Sequence, residues 1–274
     1  MAWWQRSYLG YEGRFKDDCV LELANGKQVQ VGQAPCPDKK KKKANKDEQT
    51  DKEADPVLSG TTVWDCAVVL AQCVTKPDLI SELFQHSKPE TCIELGAGTG
   101  AVSLACAASG AVDSITITDL GGMMPLIQKN IDANQSSFGS NVIIQCQPLR
   151  WADKTDLASL QGPYDLILGS DLIYYNDEER SSVNILIETL SALSGPHTVV
   201  LLALSQVHAP SEVERFKHRS AEVAFEEVSD VSYLIPEEYR TDESVLLLLK
   251  GPKLKQKKKR KRPVEQPMGR LNLE

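Results

Sequence analysis

The run Ile93-Glu94-Leu95-Gly96-Ala97-Gly98-Thr99-Gly100 constrains this chain more than any other stretch. It reads as a strand that breaks into a glycine-rich turn and then enters a helix. Gly96, Gly98 and Gly100 permit a close backbone approach that any Cβ would obstruct. The helix opening near Thr99 turns its first free N–H groups back toward whatever lies over the turn. A second strand, Ser114-Ile115-Thr116-Ile117-Thr118-Asp119, delivers a carboxylate about twenty residues downstream, where a parallel-sheet nucleotide site needs an acceptor for ribose hydroxyls. Together these features predict an α/β fold that binds an adenosine-containing cofactor.

The rest of the chain fits such a unit. Helical patterns are expected over residues 62–73, 78–85, 99–108, 123–134, 177–193 and 211–223, and strands over 91–95, 114–119, 141–146, 164–170 and 198–205. Strands separated by helices imply a doubly wound, mostly parallel sheet with helices on both faces. Two further strands, 226–234 and 243–250, complete a seven-stranded sheet. Their connection is too short for a helical crossover, so the last strand is expected to run antiparallel. Near the N-terminus, alternation over 20–23 and 28–31 around Asn25-Gly26 predicts a β-hairpin with a type I′ turn. The expected organisation is an N-terminal β extension (1–37), a charged insertion (38–59), the main domain (60–250) and a basic tail (251–274).

Charge is distributed unevenly. The net charge is −7, yet lysine is concentrated in residues 39–43 and 253–262, so the folded body must be acidic. An acidic body argues against a broad nucleic-acid face, leaving the basic tail as the exception, and suits a basic protein or peptide partner. Residues 38–55 hold almost no apolar residue and the tail carries a block of like charges that repel one another, so both segments are expected to be disordered. The tail also fits a nuclear-import signal, RNA contact or plain solubility. The seven cysteines form no Cys-x-x-Cys pair, which suits reduced thiols in the cytoplasm or nucleus rather than a zinc site. Residues 1–6 do not resemble a leader, and no apolar run reaches membrane-spanning length, so no membrane partner is expected.

Several side chains then stand out as candidates. Glu94, inside the strand before the turn, could meet the amino group of a cationic cofactor. Trp151 and Trp64 offer flat apolar faces near the same sheet edge, for adenine or for ordinary core packing. At the end of another strand, Ser170-Asp171-Leu172-Ile173-Tyr174 sets a carboxylate and a phenol where open α/β sheets bind ligands. Such a pair can hold a substrate amine; the plainer alternative is that Asp171 caps the following helix. Gly96-x-Gly98-x-x-Ala101 also satisfies the looser NAD fingerprint, so the turn alone leaves that cofactor open.

These marks resemble the seven-β-strand, S-adenosyl-L-methionine-dependent protein-lysine methyltransferases, relatives of those that act on chaperones and AAA ATPases. The likeness covers roughly residues 60–250. It rests on Gly60-Thr61-Thr62-Val63-Trp64, Glu94 to Gly100, Asp119, Leu149-Arg150-Trp151 and Ser170 to Tyr174. The resemblance implies that Trp64, Gly96, Ala97, Gly98, Asp119, Trp151 and Ser170 line the cofactor. It implies that Asp119 binds the ribose and Trp151 lies by the adenine, while Asp171 and Tyr174 face the substrate side chain. It further implies a protein substrate, a chaperone or an ATPase among the candidates, a monomer, and no metal. Asp65 departs from the family, which commonly carries proline there. An antiparallel last strand matches this fold and counts against an NAD enzyme. The alternatives are arginine, histidine or small-molecule methylation, or an interaction module that keeps the cofactor pocket with little turnover.

Overall fold

The chain folds as a small hairpin and a large sheet in the computed structural model, which describes residues 18–34, 60–175 and 181–252. The insertion expected over 38–59 and nearly all of the expected basic tail lie outside the described residues. In the hairpin, β1 (Cys19–Glu22) pairs antiparallel with β2 (Gln28–Val31). Its turn differs from the expected type I′. Gly26 has φ +79° while Asn25 is not left-handed, and the Gly26 N–H donates to the Leu23 carbonyl at 2.8 Å. This is a three-residue loop in which a type I turn is followed by one left-handed glycine, the next most common solution for a hairpin.

The large sheet contains β3 (Thr91–Leu95), β4 (Ser114–Asp119), β5 (Ile143–Pro148), β6 (Tyr164–Ser170), β7 (Ser194–Ser205), β8 (Phe225–Asp230) and β9 (Ser244–Pro252). Their order is β5-β4-β3-β6-β7-β9-β8. β3 to β7 are mutually parallel, and β9 slots antiparallel between β7 and β8. The short link before β9 leaves room only for two single-turn 3₁₀ segments, Ser232–Leu234 and Glu237–Tyr239, so the strand must reverse direction.

Both faces of the sheet are covered. Cys92 of β3 packs with α1 (Asp65–Thr75), α2 (Leu79–Leu83), α3 (Ala101–Ser109), α4 (Met124–Asn134) and the hairpin. Ile93 and Leu95 point the other way, into a second cluster with α5 (Lys154–Ser159), α6 (Val183–Leu193) and α7 (Pro210–Val223). Burial on both sides explains why β7 and β9 read as continuous rather than alternating apolar runs. Helix α1 begins at Asp65 rather than at residue 62, because Trp64 is still extended with ψ 160°.

Candidate active site

Three strand ends meet at the carboxyl edge: Leu95 of β3, Asp119 of β4 and Ser170 of β6. Chain order reverses between β3 and β6, and such a switch point opens a crevice beyond the strand ends. The glycine turn lies in that crevice. Gly96 and Gly98 take φ +56° and +57°, which favours glycine at both. Their neighbours are also tight. A Cβ on Gly96 would come within 2.8 Å of Leu172 Cδ2 and 3.2 Å of Trp151 Cζ2, and one on Gly98 within 2.8 Å of the Gly60 carbonyl oxygen. The turn is therefore clamped by the chain itself, between the residue-60 segment and Trp151.

Asp119 secures the turn from β4. Its Oδ2 accepts the Gly98 N–H at 2.7 Å and its Oδ1 the Leu120 N–H at 2.6 Å, while the Ala97 N–H donates to the Thr118 carbonyl at 3.0 Å. Each carboxylate oxygen can accept more than one hydrogen bond, so Asp119 retains capacity for an incoming hydroxyl. Burial raises its pKa, and the two N–H bonds oppose that rise. Beside it, Leu120, Pro148, Leu149 and Arg150 help to line a cleft of about 470 Å³. A half-buried Trp151 stands at the end of this wall, its ring edge against Gly96.

Glu94, expected beside the cofactor's amino group, is instead enclosed beneath the turn at 1% exposure. Its Oε2 accepts the Ser103 N–H at 2.9 Å, supplying a cap that Gly100 cannot give to α3. Oε1 has no hydrogen-bond partner. Desolvation raises the Glu94 pKa to about 7, against the pull of Ser103.

The other side of the crevice is built differently. Asp171 follows β6 with φ +51°, and its N–H extends the β6–β7 pairing by donating to the Ala203 carbonyl at 2.9 Å. Its Oδ2 accepts the Cys66 N–H at 3.3 Å, in the first turn of α1, so the helix it caps is not the one that follows it. Its Oδ1 is buried without a partner. Burial raises the Asp171 pKa, Cys66 and His208 lower it, and Asp65 adds a smaller rise. Trp64, just before α1, meets His208 edge to face with ring centroids 6.1 Å apart. Tyr174 is 44% exposed and tilts against Tyr175 at 4.7 Å. Its phenol is raised by burial, then by Tyr175 and by Asp119 across the crevice.

The edge thus gathers Gly96, Ala97, Gly98, Asp119 and Trp151 on one side and Ser170, Asp171, Trp64 and Tyr174 on the other, with Glu94 below. Cys66 and His208 escaped the sequence reading, since neither lies in a glycine or Asp-x-x-Tyr pattern. Cys66 lies two residues after Trp64, and His208 only a few residues beyond the end of β7. No His, Cys or carboxylate cluster fit to hold a metal occurs among the described residues, and no helix there is long and apolar enough to cross a membrane.

Residues 43–219 match the sequence profile described as lysine methyltransferase. Protein N-lysine methyltransferase METTL21A of Danio rerio is 38% identical over 143 residues, covering 52% of this chain and 58% of that protein. EEF1A lysine methyltransferase 3 of Xenopus tropicalis is 36% identical over 141 residues, covering 52% and 55%. The chain therefore spans little more than half the length of these relatives. Among solved structures, a methyltransferase from Pyrococcus furiosus aligns with TM-score 0.47 at 19% identity, covering 66% of this chain and 83% of that one.

Proposed function

The chain belongs to the lysine methyltransferase family, and we propose that it methylates a lysine side chain of a protein with S-adenosylmethionine as donor. The carrying observation is that the same sheet edge holds a glycine turn secured by Asp119 and, at the end of β6, an Asp171 with one buried oxygen left without a hydrogen-bond partner. The residues fit the cofactor. The turn presents main-chain groups at the end of β3, Asp119 has spare acceptor capacity for ribose hydroxyls, and Trp151 directly follows the Pro148–Arg150 wall of the neighbouring cleft, where this reading places adenine. Ala97, Ser170 and Trp64 complete the lining in this reading, and Glu94 supports the turn from below. When bound, S-adenosylmethionine supplies an electrophilic methyl group.

What remains for the protein is to capture, orient and dehydrate the acceptor. A free lysine is neutral only about 0.04% of the time at pH 7, so its ammonium must be held and then lose a proton. Asp171 captures the ammonium through the unpartnered oxygen. Burial, which disfavours its own charge, limits how strongly it resists that proton loss. Tyr174 shapes the mouth of the site and offers the proton a path to water. The acceptor is a lysine of a protein substrate. Chaperones and ATPases, implied by the resemblance, are the first to test, along with the EEF1A for which one relative is named. We further infer a monomer that works in the cytoplasm or nucleus, on its thiol usage and basic run.

The test is transfer of isotopically labelled methyl from S-adenosylmethionine to fractionated cell protein, with mass spectrometry locating the label. Label on a lysine, absent with Asp171→Asn, supports the reading. Label on arginine, histidine or a small molecule contradicts it.

A further inference from the structure

Two asparagines one turn apart on α4, Asn130 and Asn134, are 1% and 2% exposed on a helix whose other polar side chains face outward. Both amides bond the free edge of β2 as a neighbouring strand would. Asn134 accepts the Gln30 N–H at 2.8 Å and donates to the Gln30 carbonyl at 2.6 Å. Asn130 accepts the Gly32 N–H at 2.9 Å and donates to the Gly32 carbonyl at 3.0 Å. The spacing fits, since four helical residues rise about 6 Å and two strand residues span about 6.6 Å. Here the two residues part company. The second N–H of Asn134 stays within α4, on the Asn130 carbonyl. That of Asn130 reaches the carbonyl of Thr99, inside the glycine turn, at 2.9 Å.

A second tie leaves the same strand end. The Gln33 side-chain oxygen accepts the Thr62 hydroxyl at 2.6 Å and the Val63 N–H at 2.8 Å, and the Ala34 N–H donates to the Thr61 carbonyl at 3.2 Å. That anchors the segment whose Gly60 lies against Gly98. The hairpin thus braces the turn from two sides. We propose that Asn130 is a positioning residue of the cofactor site, fixing the Thr99 carbonyl so that the hairpin's docking and cofactor affinity are one coupled equilibrium. The inference rests on the reading that S-adenosylmethionine binds at this turn. Linkage makes the effect reciprocal: a loosened hairpin weakens the cofactor, and bound cofactor tightens the hairpin.

Asn134 provides the control, because it makes the same strand clamp without touching the turn. The experiment titrates wild type, Asn130→Ala, Asn134→Ala and Gly32→Ala with S-adenosylhomocysteine by calorimetry, alongside thermal melts. A Cβ on Gly32 would press within 2.8 Å of the Asn130 Oδ1, so Gly32→Ala disturbs the amide from the hairpin side while α4 stays intact. The two asparagine variants should lose similar thermal stability. Asn130→Ala and Gly32→Ala should weaken binding about tenfold or more, the usual range of such coupling, and Asn134→Ala much less. If Asn130→Ala does not fold, Gly32→Ala against Asn134→Ala gives the same contrast. Equal affinities for Asn134→Ala and the other two variants overturn the inference alone. A wild type that does not bind S-adenosylhomocysteine overturns the cofactor reading and the inference with it.

Discussion

At the end of β4, Asp119 spends both carboxylate oxygens on main-chain N–H groups, and the glycine turn beside it is closed in by Trp151, Leu172 and Gly60. At the end of β6, Asp171 keeps one oxygen buried without a partner and holds a left-handed backbone that costs a non-glycine residue energy. The first half of the edge is satisfied before any ligand arrives. The second half carries the cost of an unpaired buried acceptor, on the order of 1–3 kcal/mol, that a bound cation can relieve. The contrast suits a division of labour, with a preformed seat for the cofactor and a reactive post for the acceptor.

The largest expected effect comes from breaking the second half alone. Asp171→Asn keeps the size and an acceptor for the Cys66 N–H but removes the charge. Methyl transfer should fall about a hundredfold or more, the scale of misplacing an acceptor, with S-adenosylhomocysteine affinity unchanged in calorimetry. Wild-type turnover would reduce Asp171 to a helix cap for α1. The mirror experiment is smaller. Asp119→Ala should lose roughly 1.5–3 kcal/mol of cofactor binding, the scale for hydrogen bonds to a charged group. Saturating cofactor should restore most of the rate. Unchanged affinity in a folded variant would remove Asp119 from the site.

Below the turn the expected effect concerns stability. The Glu94 pKa rises from 4.5 to about 7 in the folded chain, so the native state holds the proton longer than the unfolded state. Its contribution is fully present below about pH 4.5 and is lost as pH climbs through about 7. Glu94→Gln still offers an oxygen to the Ser103 N–H but cannot ionise. Its melting temperature should fall less than that of wild type between pH 5 and pH 8. Parallel falls would show that Glu94 stays charged.

The same contrast governs what could be read from residues alone. The strands 91–95, 114–119 and 164–170 coincide with β3, β4 and β6, because each is rich in β-branched or apolar residues and is ended by glycine or a polar residue where the backbone must turn. Their ends form the carboxyl edge on which the proposed site is built. Helix α5 was not legible, because six mostly polar residues have no periodicity. It is held by Asp153, whose side chain caps the Thr155 and Asp156 N–H groups. The burial of Glu94 was hidden because a carboxylate in a strand gives no sign of which face it meets. Nothing in the pattern of residues 123–134 marks Asn130 and Asn134 as buried, since a polar side chain on a surface helix ordinarily faces solvent. Their low helix propensity was the one hint that the side chains were engaged elsewhere.

The most direct test is a diffraction structure of the chain with S-adenosylhomocysteine bound. Ribose hydroxyls are expected within hydrogen-bond distance of Asp119, adenine beside Trp151, and the sulfur end of the ligand toward Asp171. A ligand seated away from the Gly96–Gly98 turn, or a sulfur turned away from Asp171, would contradict this reading.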